Sequence, residues 1–244
     1  MQLKRREMLK GGLLGAGMSV GLTEVFAKST SGAKGDFPEE TFDVVVVGAG
    51  FAGMCAALEA ANQGANVVLL EKRGRPDGTS VYSSGWIAAV GSDMQKHHTE
   101  DNKEAFFNDM MRLSHYRSDP ELIKVYADQA GDGVNWLIKL GVPFKLWENL
   151  PAPELSRCVI AQGKGVTGGS VLIRTLLKAL IAKKGPIHYN TNAVELVVTP
   201  NNEVEGVSCH TPNGRKIYKA KGGVILTTGG YGANTAMTCA WIGP

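Results

Sequence analysis

The stretch FDVVVVGAGFAG, residues 42–53, constrains this chain more than any other part of its sequence. Phe42–Val47 is an apolar run rich in β-branched side chains, the pattern of a strand buried on both faces of a parallel sheet. It breaks at Gly48, Gly50 and Gly53, spaced G-x-G-x-x-G, with Ala49, Phe51 and Ala52 between them. Met54–Gln63 then carries strong helix formers up to Gly64, and Asn66–Leu70 predicts a second strand that ends in Glu71 and Lys72. Strand, glycine turn, helix and strand in that order form the phosphate-binding unit of a dinucleotide site. Gly48 serves the tight turn, Gly50 the close approach of backbone to a pyrophosphate, and Gly53 the packing of helix on strand. Unpaired amides and the positive dipole end at the helix start attract phosphate. Glu71 stands where a carboxylate accepts hydrogen bonds from a ribose diol. The unit alone does not separate NAD from FAD.

Size and charge narrow the remaining classes. A chain of 244 residues holds one large domain or two small ones. The net charge is +3, most of it from Lys4, Arg5, Arg6 and Lys10 set against Glu7 and Glu24. The rest is close to neutral, which gives no footing for a nucleic-acid partner. The N-terminus reads as an export signal: Arg5-Arg6, a weakly apolar stretch over 11–22, then small residues at Val25 and Ala27. It resembles a twin-arginine signal, with Lys4 and Met8 departing from the usual pattern. The expected organisation is therefore a signal over 1–27 cleaved after Ala27, a flexible linker over 28–40, and a domain over 41–244. This implies passage through the twin-arginine translocon to the periplasm. Cys55, Cys158, Cys209 and Cys239 form no C-x-x-C pair, and the five histidines show no metal-binding spacing, so no metal site is expected.

Downstream, RPDGTSVYSSGWIAA at 75–89 is rich in Ser and Gly and poor in helix signals. Helices are predicted over 101–115 and 119–140, the second with Asp119 as N-cap and Pro120 in its first turn. A third starts at Ser170 and runs to Lys183-Lys184-Gly185-Pro186, a basic, Gly and Pro ending. Strands follow over 187–190, 193–199, 204–210, 215–220 and 223–227, with hairpin turns at Asn201-Asn202 and Asn213-Gly214. The last runs into TTGGYGAN, residues 227–234. The fold class is α/β: a Rossmann-like domain with a parallel sheet and an inserted β-meander.

These features resemble the flavoprotein subunits of the fumarate reductase and succinate dehydrogenase superfamily. The resemblance is strongest to the soluble exported branch of flavocytochrome fumarate reductases, urocanate reductases and ketosteroid dehydrogenases. It rests on GAGFAG with Glu71, TSVYSSGWIAA, DPELIKVYADQAGDGVNWLIKLGVPF, GGSVLIRTLLKA and TTGGYGAN, in family order from Phe42 to about Met237. It implies FAD and a flavin-mediated reduction of an unsaturated acid, or the reverse dehydrogenation. Gly48, Gly50, Gly53 and the Glu71–Lys72 strand end would hold the ADP half. Thr79, Ser80, Ser84 and Gly85 would run along the pyrophosphate, ribityl and isoalloxazine portion. Val194 would offer its backbone to the adenine, and Thr228 and Gly229 would pack against the dinucleotide. Relatives that bind flavin covalently use a histidine in this loop; residues 74–90 contain none, so non-covalent FAD is expected.

The resemblance puts the substrate-binding and proton-donating groups in a capping domain after the GGYGAN segment. It puts closure of the flavin site in a later strand, glycine-rich turn and helix. Both are expected to be missing here, so the polypeptide alone should reduce none of fumarate, urocanate or a ketosteroid and should hold FAD weakly if at all. Arg174 falls on a helix, and Arg112, Arg117 and Arg157 read as solvated charges, so no catalytic residue is assigned. Expected partners are a separate cytochrome c or quinol-linked electron donor and a chain supplying the cap. Two further classes stay open: a non-catalytic FAD-binding subunit completed by another chain, and a NAD-binding oxidoreductase sharing only the nucleotide fold. For the export signal, Arg5→Lys with Arg6→Lys is expected to trap the precursor in the cytoplasm, while the parent chain matures to begin at Lys28. N-terminal sequencing of periplasmic and cytoplasmic fractions reads the outcome.

Overall fold

The computed structural model describes residues 37–95, 101–147 and 157–242. The signal and its cleavage site after Ala27 lie outside the described residues. Strand β1 (Glu39–Val47), helix α1 (Phe51–Asn62) and strand β2 (Val67–Leu70) form the opening unit. A one-turn helix α2 (Thr79–Tyr82) and strand β3 (Trp86–Ala88) follow, then helices α3 (Lys103–Leu113) and α4 (Pro120–Lys139). Strands β4 (Phe144–Leu146) and β5 (Cys158–Ala161) precede helix α5 (Gly168–Ala182). The chain then runs through β6 (Ile187–His188), β7 (Asn192–Val198), β8 (Val204–Thr211) and β9 (Gly214–Leu226) to a terminal helix α6 (Thr235–Ile242).

The main sheet has the order β6-β2-β1-β9-β8-β7. β1 lies between two parallel neighbours, with Val44 opposite Val67 on β2 and Val47 opposite Leu226 on β9. This double pairing explains the apolar run. Val46 and Leu69 point into one core with Met54 and Leu58 of α1 and Leu176 and Leu180 of α5, all essentially fully buried. Val45, Val47, Val68 and Leu70 point the other way, against Phe42, Val207, Cys209 and Tyr218. Each such side chain contributes about 2 kcal/mol of burial free energy.

The meander extends the parallel sheet instead of standing apart from it. β7, β8 and β9 pair antiparallel, and β9 then continues alongside β1. The expected strands over 215–220 and 223–227 are therefore one. Their apparent break is a register shift opposite Phe42 and Val44, where β9 carries an extra residue near Gly222. A bulge of this kind bends a strand without ending it.

Three further expectations are corrected, and one helix is added. Residues 75–89 contain α2 and β3, and β3 joins a second, three-stranded antiparallel sheet of order β3-β5-β4. Such short strands are too brief to show a period. Helix α5 begins at Gly168, because the Thr167 side chain accepts the Ser170 N–H and so caps it. Helix α6 had no counterpart in the sequence reading. Arg157 is not a solvated charge: it is 8% exposed, donates to both Asp101 and Asp109, and lies 5.3 Å from the Phe106 ring centre. The predicted Asp119 cap and first-turn Pro120 of α4 are as expected, with the aspartate accepting the Glu121 N–H.

Arg157 joins β5 to α3 over a third core of Ala89, Phe106, Val134, Leu146 and Val159. Burial raises the Asp109 pKa, but the Arg157 and Arg112 guanidinium groups outweigh it and hold the carboxyl below its ordinary value. The stabilisation is therefore complete above the unfolded value of 3.8 and is lost as pH falls through the lower folded value. Arg157→Ala is expected to destabilise the domain by about 3 kcal/mol near neutral pH. Thermal melts across pH should show the gap between variant and parent narrowing below about pH 4.

Candidate dinucleotide-binding site

The glycine turn is built from three directions. Gly48 has φ +105°, and a Cβ there would lie 2.6 Å from the Thr227 carbonyl oxygen. A Cβ on Gly53 would collide with the Gly48 carbonyl oxygen, so α1 starts directly on top of the strand end. The Thr227 N–H donates to the Val47 carbonyl, and its Oγ1 lies within hydrogen-bonding distance of the carbonyls of Val47 (2.8 Å) and Gly48 (3.0 Å). From the other side Glu71, 7% exposed, accepts the Ala49 N–H on Oε2 at 2.9 Å and the Arg73 N–H on Oε1 at 2.8 Å. The carboxylate expected to meet a ribose thus also holds the turn. Its two oxygens have lone pairs left for that purpose.

The Ser/Gly loop closes over the head of α1. Ser80 Oγ accepts the Phe51 N–H at 3.1 Å, taking one of the first-turn amides that have no partner within the helix. The loop is held from behind by α5. Thr167 Oγ1 donates to the Val81 carbonyl at 2.7 Å, and side chains on Gly168 or Gly169 would strike the backbone at Ser84 and Ser80. Gly85 is buried against Gly168, while Thr79 and Ser84 are exposed. Asp77 anchors the approach to α2: it accepts the Gly78 N–H and Arg73 Nη1, both at 2.8 Å. The Gly78 N–H, followed by Tyr82, holds its carboxyl below the ordinary range.

The structure thus brings together Gly48, Ala49, Gly50, Phe51, Gly53, Glu71 and Ser80 through direct contacts, with Ala52 and Lys72 exposed at its margin. Thr228 and Gly229 are exposed immediately beyond Thr227. Val194 stands apart, 45% exposed at a register shift of β7. The segment leading into β7 nevertheless reaches the site, because the Thr191 N–H donates to the Glu71 carbonyl and the Asn190 N–H to that of Arg73. Sequence reasoning missed Thr227, Thr167, Gly168 and Gly169. The Gly-Gly pair heading GGSVLIRTLLKA was the available signal for the last two.

The residues present fit an FAD. Gly50 faces open space, with only Ser80 Oγ at 3.4 Å from where a Cβ would be. The backbone is therefore accessible to a pyrophosphate at the positive end of α1. Beside the loop lies a cleft of about 370 Å³ lined by Phe51, Thr79, Ser80, Gly85, Trp86 and Tyr126, among others. An adjoining groove of about 860 Å³ runs between α1 and α4. Cys55 lines this groove; burial pushes its thiol up to about 12, so it is a neutral apolar wall.

A strand–glycine turn–helix unit with a buried acid at the next strand end defines a dinucleotide-binding domain. Residues 43–243 match the FAD binding domain family, and the chain belongs to it. It is 37% identical over 202 residues to a probable fumarate reductase of Shewanella frigidimarina, covering 82% of this chain and 34% of that one. To the urocanate reductase of Eggerthella lenta it is 36% identical over 200 residues, covering 80% and 32%. Among solved structures, a 3-ketosteroid-Δ4-(5α)-dehydrogenase from Rhodococcus jostii superposes with a TM-score of 0.75 at 27% identity, covering 87% of this chain and 50% of that one. The chain spans about a third of the length of the curated relatives it matches.

Two glycines separate ligand from fold. Gly50→Val is expected to leave the melting temperature nearly unchanged and weaken FAD binding at least tenfold, by closing the pyrophosphate approach. Gly53→Ala is expected to destabilise the domain itself by about 3 kcal/mol through overpacking. Thermal melts and FAD titration by flavin fluorescence distinguish the two.

Proposed function

We propose that this chain is the FAD-binding part of an exported oxidoreductase that reduces the double bond of an unsaturated acid, or runs the reverse dehydrogenation. The observation that carries it is the turn at residues 48–53, locked by Glu71 and Thr227 and open only at Gly50. The similarity to a fumarate reductase and a urocanate reductase supports the reaction class. FAD, when bound, supplies hydride exchange with one alkene carbon while a proton is exchanged at the other.

The chain's own groups have distinct tasks. The Gly50 backbone and the first turn of α1 take the pyrophosphate, and Glu71 accepts from the ribose while keeping Ala49 in place. Lys72 flanks that strand end, and Val194 offers its backbone to the adenine. Thr228 and Gly229 cover the dinucleotide beside Thr227. Thr79, Ser80, Ser84 and Gly85 follow it toward the flavin end, where Phe51, Trp86 and Tyr126 exclude water. With no histidine in residues 74–90, these contacts are non-covalent. Electrons come from a separate cytochrome c or quinol-linked protein, and export uses the twin-arginine translocon.

Titration of the purified chain is expected to show saturable binding of FAD that NAD does not displace. Acid or heat should release all of the flavin intact. A yellow band surviving a denaturing gel contradicts the non-covalent assignment, and displacement by NAD overturns the cofactor assignment with it.

A further inference from the structure

We infer that His188 is a positioning residue: its neutral imidazole, held by the Tyr218 hydroxyl, keeps residues 188–191 docked on the strand end that carries Glu71, and a proton taken up there weakens dinucleotide binding. This rests on the ribose role proposed above for Glu71. Strand β6 is two residues long and lies at the edge of the main sheet, with His188 opposite Leu70. The residues that follow it wrap the Glu71 backbone. The His188 carbonyl accepts the Glu71 N–H at 2.9 Å, the Thr191 N–H donates to the Glu71 carbonyl at 2.9 Å, and the Asn190 N–H to that of Arg73 at 3.0 Å. Asn190, at φ +51°, makes the left-handed turn between them, a conformation that asparagine tolerates. The carboxylate that meets the ribose is therefore placed by a short edge segment, the kind of element that opens most readily.

One side chain anchors that segment to the sheet. His188 Nδ1 lies 2.9 Å from the Tyr218 hydroxyl, and its ring meets those of Tyr218 at 5.5 Å and Phe42 at 6.3 Å between centres, both edge-on. Tyr218 and Phe42 are buried. Around this cluster β2 presents Leu70, β1 Phe42 and Glu40, β8 the Cys209 thiol, and β9 Tyr218 and Lys216. The Thr191 hydroxyl lies beside the phenol and donates to the Tyr189 carbonyl. Burial pushes the Cys209 thiol up to about 11 and raises the Tyr218 phenol, so both are uncharged near neutral pH. Glu40 and Lys216, paired at 2.6 Å, act on the imidazole in opposite senses.

Burial is the larger cause, and it holds the imidazole below its ordinary value of 6.5. A second proton places a charge among aromatic rings and turns Nδ1 into a donor, so the phenol must reverse its hydrogen bond. The stabilisation of the docked segment is therefore complete above pH 6.5 and is lost as pH falls through the lower folded value. A cofactor held by Glu71 needs the segment docked, so the coupling runs both ways. Protonation weakens the cofactor, and the bound cofactor lowers the imidazole further by the same factor.

NMR titration of the imidazole and amide resonances, with FAD titration by flavin fluorescence, tests the inference. In the free chain the Asn190 and Thr191 amides are expected to shift with the same midpoint as His188. They should stay still in His188→Gln, which keeps a partner for Tyr218 but does not titrate. The FAD Kd of the parent is expected to rise about tenfold from about pH 8 to about pH 5, and that of His188→Gln less than about threefold. With FAD bound, His188 should titrate about one pH unit lower, which is the same tenfold factor. Tyr218→Phe, which keeps the ring and removes the hydroxyl, should raise the FAD Kd about fivefold at about pH 8. Amides that ignore His188 protonation, a His188→Gln chain with the parent's pH dependence, or a Tyr218→Phe chain with the parent's affinity overturns the inference. If no FAD binds at either pH, the functional reading fails, while the amide titration of the free chain still decides the docking.

Discussion

The contact between the first turn of α1 and the Gly48 carbonyl is the constraint on which the rest of the structure depends. With no side chain at residue 53, the helix begins at the strand end without a spacer, and its amide-bearing tip comes to the sheet edge. Thr227, arriving from the neighbouring parallel strand, ties that carbonyl and the Val47 carbonyl before it, and Glu71 ties the next amide from the other neighbour. A central strand flanked by parallel partners on both sides can be gripped in this way from left and right. The polar cost of burying Glu71 is offset by two backbone donors, so the carboxylate is both a structural element and a ligand-facing group.

The second sheet gives the loop its shape. Residues 79–85 contain too little regular structure to hold a cofactor by themselves. They are fixed because Gly168 and Gly169 let α5 approach their backbone and because β3 is sewn to β5. Arg157, just ahead of the central strand β5, fastens that small sheet to α3 and the residues before it through the carboxylates of Asp109 and Asp101 and the Phe106 ring. One buried cation thus steadies, at a distance, the strand that carries Trp86. This is a reason to bury a charge that differs from any role in chemistry.

Most of the phosphate-binding unit was legible in the residues themselves. Its signals are local: a β-branched run, glycines at fixed offsets, a helix and an acid at the next strand end all fall within Phe42 to Lys72. The Asp119 cap was legible for the same reason, since a cap bonds to a neighbour two residues away. Thr227 was passed over in favour of Thr228 and Gly229 because nothing in a strand end tells which residue faces a turn far away in sequence. Arg157 was misjudged because its partners, Asp101 and Asp109, are remote along the chain. The single strand β9 was split in two because a bulge interrupts a periodic pattern without interrupting the hydrogen-bond ladder.

By itself, the sequence determined the α/β class and the dinucleotide turn, because these follow from short-range spacing, and it indicated the family through the further motifs that follow that turn in order. Only the tertiary structure decided that the meander extends the main sheet, that α5 props the Ser/Gly loop, and that Arg157 is buried. It alone also set Trp86 against Trp147. Each of these is a meeting of residues from distant segments, fixed by packing and strand register.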